Sequence, residues 1–387
     1  MKKKIKYIDF FFFLYIPFYL LGLALPWLYG LLFYFKDGWG ALKRKRFGIS
    51  VLVFLYVISL LLSVRYEFFT LGRFFASAHN LAVLLFIPVG YYLGQTRGIH
   101  LRTVQIFLFA LAAILLPYII VSLFVDFNLK YGGLLSFFGE NKYTRVVFSL
   151  PYYLGNWKYS RIQFLAPYPT ATAFFLVALN TYRNTLKGKL RHVDFFDVVV
   201  ILIVIFTGAR FLLVVIVLQI ALKILMKNPS LLKMVLLMSP LVALLGFNLV
   251  LLVLESRAGS NSMRLKIYEE SFKMMLAESP IIGIGIKPKL PEILGIYPLG
   301  SHSTINTFFF KTGILGGLVF LVLYFKSLLK RLRGLIKGFL GKDYERMYIY
   351  FSQILFLLAI VFDDVDSDEF YAFCFGLVLG LNGKWKR

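Results

Sequence analysis

Cys374 is the single cysteine in this chain of 387 residues, which rules out a disulfide framework and a cysteine-rich metal site. Charge is sparse as well. Asp, Glu, Lys and Arg make up 16% of the residues, against about a quarter in soluble domains. That is too little polar surface to cover the two or three soluble domains a chain of this length would form. Acids are the scarcest charged group, 19 against 43 Lys and Arg, for a formal net charge of +24. There is no internal repeat, no Walker A loop, no GxSxG and no HExxH. Gly283-Ile284-Gly285 lacks the third glycine of a dinucleotide loop. A nucleotide-driven pump and a soluble-type hydrolase therefore have no footing.

Apolar residues are abundant. Hydrophobic residues make up 59% of the chain and aromatics 18%, and the mean hydropathy is +0.77. These values exclude disorder and define a polytopic membrane protein, expected to be one all-α integral domain over residues 1–387. Apolar runs fall at 49–64, 80–94, 103–125, 169–182, 193–208, 211–226, 231–254, 304–325, 347–362 and 370–381. The run from Ile8 to Phe35 is too long for a signal peptide and is interrupted by Pro17, Gly22 and Pro26. Two short tilted helices with a turn near Gly22–Pro26 put both of its basic flanks on one side, which one long helix cannot do. About twelve transmembrane helices result.

The loops then sort by charge. Segments 1–6, 36–48, 95–102, 183–192, 223–233, 326–346 and 384–387 carry 28 Lys and Arg and, with the adjoining span ends, 6 acids. The opposite side carries 15 Lys and Arg and 13 acids over much more loop sequence. The positive-inside rule makes the first set cytoplasmic, both termini included, in a multi-pass protein of the cytoplasmic (inner) membrane. The net charge is thus a topology signal, and nucleic acid is not an expected partner. Two extracytoplasmic loops are long, 126–168 and 255–303, and loops of this length in a compact protein carry function or structure of their own. Within the second, Glu255 to Pro280 has apolar positions at Met263, Ile267, Phe272, Met275 and Leu276, and reads as an amphipathic helix at the outer surface.

Seven arginines fall on the outer side against the prevailing bias: Arg65, Arg73, Arg145, Arg161, Arg210, Arg257 and Arg264. Arg210 is the sharpest. In Thr207-Gly208-Ala209-Arg210 it sits between two apolar runs with almost no loop to carry it away from the membrane boundary. Snorkelling to lipid phosphates is the bland reading. A cluster of planar guanidinium forks for a phosphate or diphosphate is the functional one. His302, in Gly300-Ser301-His302-Ser303-Thr304, is a candidate proton acceptor or a hydrogen-bonded structural histidine. His79, His100 and His192 are weaker candidates. Asp363, Asp364, Asp366, Asp368 and Glu369 read as a solvated acidic loop without EF-hand spacing. Tyr152, Tyr153, Trp157 and Tyr159 read as an interfacial belt or as a sugar-stacking surface.

From Arg264 to Lys326 the chain resembles the shared region of O-antigen ligases and Wzy-type O-antigen polymerases. The carrying residues are Arg264, Pro280-Ile281-Ile282-Gly283-Ile284-Gly285, Ser301-His302-Ser303-Thr304 and Thr312-Gly313-Ile314-Leu315-Gly316. Upstream, Ser160-Arg161-Ile162-Gln163-Phe164 with Pro167 and Pro169, and Thr207-Gly208-Ala209-Arg210, are similar to two further family elements. Phe164 stands in place of a glycine, Thr207 and Ala209 in place of serines, and Ser303 in place of an asparagine. The resemblance implies a GT-C-type membrane glycosyltransferase that works outside the cytoplasmic membrane without metal, cofactor or nucleotide sugar. It implies undecaprenyl-diphosphate-linked glycans as donor and acceptor, with a chain-length regulator as a further candidate partner. By the same resemblance His302 is catalytic, and Arg210, Arg264, Arg161 and Arg257 bind the diphosphate. The expected reaction is polymerisation of repeat units. Ligation to lipid A-core is the alternative, a flippase or transporter the alternative of another class, and a non-catalytic scaffold a third.

Overall fold

The computed structural model describes residues 7–21, 47–125, 128–138, 145–154, 157–164, 166, 168–188, 190, 192–228, 230–231, 258–289, 298–363, 365 and 367–382. Its helices are α1 (Tyr7–Leu20), α2 (Phe47–Leu62), α3 (Leu71–Val83), α4 (Phe86–Thr96), α5 (Leu101–Phe124), α6 (Pro169–Lys187), α7 (Phe195–Thr207), α8 (Arg210–Lys227), α9 (Ala258–Glu278), α10 (Thr304–Leu340), α11 (Tyr344–Ala359) and α12 (Glu369–Gly380). Three stretches are long and apolar enough to cross a bilayer: Leu71–Thr96, Leu101–Phe124 and Thr304–Leu340. Several other apolar helices are shorter, among them Phe195–Thr207 and Glu369–Gly380. The fold is thus that of a mostly helical membrane protein. The expected run 231–254, the second half of 8–35 and Arg257 lie almost wholly outside the described residues.

The all-α expectation needs one correction. The long segment between α5 and α6 carries two small antiparallel sheets, β1 (Lys130–Gly132) with β2 (Arg145–Val147) and β3 (Ser149–Leu154) with β4 (Trp157–Ile162). In the second, Tyr152 faces Tyr159 and Leu150 faces Arg161 across the pair. A chain that must satisfy its own backbone groups beside a membrane does so by strand pairing where it is not helical.

α6 is the hub. It begins with Pro169 at its first turn, where a missing N–H costs nothing, and ends at Gly188 in the left-handed conformation. Its residues are buried almost all round from Pro169 to Thr185, as a helix surrounded by other helices requires. Phe174 meets Phe356 and Tyr371, and Phe175 meets Phe107 and Phe370, in edge-on or tilted ring contacts. α4 and α12 approach backbone to backbone through Gly90 and Gly94 on one and Gly376 and Gly380 on the other. A Cβ at Gly90 would lie 1.9 Å from the carbonyl oxygen of Phe373, and one at Gly380 2.1 Å from that of Tyr91. Small residues four apart on both helices are the packing device of membrane helices, where burial from water gives no drive.

Two groups of contacts lie at opposite ends of α1. Arg97 pairs with Glu345, His100 with Asp9, and Lys187 with Asp194. On the other side Tyr131 and Leu134 bond the carbonyls of Leu20 and Leu21 at the end of α1. α1 thus runs from one set of loops to the other and ends at Leu20; the turn expected near Gly22–Pro26 lies outside the described residues.

Candidate functional site

The site is built around two breaks in helices. The first ends α7. Gly208 adopts φ +64, the Thr207 hydroxyl accepts the amide of Ala209, and the amide of Arg210 bonds Gly208 O at 3.1 Å. The turn starts α8 on Arg210, which is half-buried. Arg161, near the end of β4, donates its Nε to the carbonyl of Thr207. The strand pair therefore delivers one predicted arginine to the turn that carries another.

The second break is Gly313 in α10, at φ +66 and ψ −167. A helix interrupted here leaves carbonyls and amides unpaired, and the Pro280–Gly285 element docks into the gap. Ile284 and Gly285 donate to the carbonyls of Phe310 and Lys311, while Ile314 and Leu315 donate to those of Pro280 and Ile281, at 2.9 to 3.3 Å. The close approach requires glycine. A Cβ on Gly283, at φ +86, would lie 2.3 Å from the amide nitrogen of Gly313. The two glycine motifs noted in the sequence are the two halves of this joint.

α9 lies alongside. Ile267, Ser271 and Met275, one turn apart, form its buried stripe, and Ile267 and Met275 pack with Tyr56, Leu60, Ile284, Ile286, Leu299 and Phe310. Leu265, Phe272 and Leu276 are exposed. The expected single apolar face over Met263, Ile267, Phe272, Met275 and Leu276 is thus divided, because Phe272 and Leu276 lie on the outward side. Arg264 donates to Phe362 O at 3.3 Å, and Tyr268, one turn on, donates its hydroxyl to His302 O at 2.8 Å.

His302 adopts φ +67, which is unusual and costly for a residue with a Cβ. Its neighbours hold the turn in place. Asn306 bonds Ser301 O at 3.2 Å, and the amide of Thr304 bonds the carbonyls of Ile360 and Asp363, both at 3.1 Å. The Thr304 hydroxyl donates to Asp363 O at 2.7 Å and accepts the amide of Val365 at 2.9 Å. Phe362, whose carbonyl holds Arg264, also meets Phe211, the neighbour of Arg210, in a tilted ring contact at 5.2 Å between centres. One run of contacts therefore joins the segments carrying Arg161, Arg210, Arg264 and His302, and the loop 360–365 is its centre.

That loop corrects a further expectation. Among the described residues, the acids of this stretch are not a solvated cluster. Asp368 and Glu369 are buried, the Asp363 carboxylate accepts the Tyr371 hydroxyl at 2.6 Å, and Asp364 and Asp366 lie outside the described residues. Glu369 pairs with His79 at 3.0 Å. His79 was the weaker histidine by local context, since its partner lies 290 positions away. Tyr268, Phe362 and Glu369 likewise carried no local signal. Among the described residues no three His, Cys, Asp or Glu side chains converge as a metal site. A cavity of about 670 Å³ opens at the other set of loops, between Lys187, His192, Lys342 and Glu345, and is not part of this site.

Residues 195–321 match the family model described as O-antigen ligase, and over that stretch the chain is similar to the family. The matched stretch spans both breaks and includes Arg210, Arg257, Arg264 and His302; Arg161 precedes it. No curated protein and no solved structure matches the chain.

Proposed function

We propose that the protein polymerises undecaprenyl-diphosphate-linked oligosaccharide repeat units into a surface polysaccharide, at the outer face of the cytoplasmic membrane. The observation that carries this reading is the run of contacts joining the segments of Arg161, Arg210, Arg264 and His302 through residues 360–365. Each segment is far from the others in sequence, and the family model covers all but Arg161's.

In the proposed reaction an acceptor hydroxyl attacks the anomeric carbon of the donor sugar. His302 takes the hydroxyl proton, the new glycosidic bond forms, and the bond to the lipid diphosphate breaks, the electron pair leaving with the diphosphate. Arg210, Arg264 and Arg161 stabilise the charge that develops on that leaving group, a contribution of about 3 kcal/mol, or roughly a hundredfold in rate, for a group of this kind. Arg257 is assigned the same role. A single displacement inverts the anomeric centre, and the step uses neither metal nor nucleotide sugar.

The ligase reading moves the same donor to lipid A-core or another acceptor, and the description of the matched family favours it. The Ser-His-Ser-Thr form of the turn favours the polymerase. Purified protein given a single lipid-linked repeat unit separates them. A ladder of products supports polymerisation, one transfer to added lipid A-core without a ladder supports ligation, and no turnover on matched substrate contradicts both.

A further inference from the structure

The reaction just proposed has two membrane-borne substrates, and the site described so far accounts for the headgroup of one. We infer that Arg65 and Arg73, with Lys287 behind them, form a second anion site that takes the phosphate-bearing headgroup of the acceptor lipid. This inference rests on the transfer reading above.

Arg65 lies on the connection between α2 and α3 and Arg73 in the first turn of α3, and both are tied to the segment that follows α9. Arg65 donates to Ser279 Oγ at 3.3 Å and to Tyr66 Oη at 3.0 Å, and Arg73 donates to the carbonyl of Lys287 at 3.3 Å. These bonds position the side chains but do not neutralise them. Neither arginine forms an ion pair with a described residue. Each guanidinium has five N–H donors, so several remain for an anion. Arg73 also lies in the first turn of α3, where the helix dipole disfavours a cation. Two cations kept on the acid-rich side of the protein, without an acid among the described residues bonded to either, are an arrangement that a bound phosphate relieves.

Lys287 connects this row to the chemistry. It is buried, and its ammonium donates to Thr307 Oγ1 at 3.2 Å. The Thr307 hydroxyl in turn donates to Gly300 O at 2.6 Å, two residues before His302. The His302 turn is therefore linked to two cationic groups: Arg161, Arg210 and Arg264 through residues 360–365, and Arg73 through Lys287 with Arg65 beside it on Ser279. A base flanked by two headgroup sites is the layout that transfer between two lipid-anchored molecules requires, since each anchor fixes one end of its glycan at the membrane surface.

The test counts equivalents of undecaprenyl diphosphate bound to the full-length protein by native mass spectrometry. Wild type is expected to bind two, Arg65→Gln/Arg73→Gln one, and Arg210→Gln/Arg264→Gln one. Arg73→Lys, which keeps the charge, retains both and guards against a folding defect. Two equivalents unaffected by Arg65→Gln/Arg73→Gln would overturn the inference and leave the transfer reading standing. Displacement of the second equivalent by an equal concentration of phosphatidylglycerol would also overturn it, by marking a general lipid contact. Displacement by lipid A alone would keep the site and move the acceptor to that of a ligase. A wild type that binds none contradicts the transfer reading itself.

Discussion

Replacing Gly283 by alanine tests the joint on which the His302 turn depends. Gly283 has φ +86, and an added Cβ would sit 2.3 Å from the amide nitrogen of Gly313 and 2.6 Å from both the carbonyl carbon and oxygen of Lys311. All three neighbours are backbone atoms inside a four-bond lock, so no side-chain rotation relieves the clash. The left-handed conformation alone costs an L-residue about 1 to 2 kcal/mol, and overpacking of this kind adds about 1 to 3 kcal/mol, for a loss of about 2 to 5 kcal/mol. Gly188 supplies an internal control. It has φ +68 but nothing within 4 Å of its added Cβ, so Gly188→Ala meets only the conformational term. Thermal unfolding of both variants in the same detergent should place Gly283→Ala well below Gly188→Ala, with turnover lost more steeply than stability. Equal midpoints for the two would refute the tight joint between Pro280–Gly285 and the break in α10.

Three further outcomes follow from the same contacts. Tyr268→Phe removes the hydroxyl that holds His302 O, and should cost about 1 kcal/mol of stability while lowering kcat more than it raises KM for the donor; an unchanged kcat would remove Tyr268 as a positioning residue. Lys223→Met leaves the Asp197 carboxylate buried without the ammonium 2.7 Å away, a loss of about 3 to 5 kcal/mol, and Lys223→Met/Asp197→Leu should recover most of it in a denaturation assay. Turnover in EDTA should equal turnover with added Mg²⁺, and a strong dependence on the cation would contradict the metal-free displacement.

Much of the architecture could be read without coordinates because two of its causes are local. Lys and Arg counts sorted the loops into two sides, and contacts such as Arg97 with Glu345 join segments of one side. Arg210 could be picked out because a charge at the membrane boundary is visible residue by residue, and the glycine motifs through the family resemblance alone. The remainder depended on partners far away in the chain. Nothing near Phe362 announces that its carbonyl receives Arg264 from 98 positions upstream, and nothing near Asp368 or Glu369 separates a buried acid from a solvated one. The strand pairs after α5 escaped for another reason. Their segments of three to six residues carry no alternation long enough to set them apart from a loop.

The central claim is that His302 and the arginines joined through residues 360–365 perform glycosyl transfer. The most direct test is product formation by purified protein from an undecaprenyl-diphosphate-linked repeat unit, comparing wild type with His302→Ala, Arg210→Ala and Arg264→Ala at matched folding. The account predicts a ladder from wild type, none from His302→Ala, and roughly hundredfold slower product from each arginine variant. Ladders of wild-type length and rate from all three variants would contradict it.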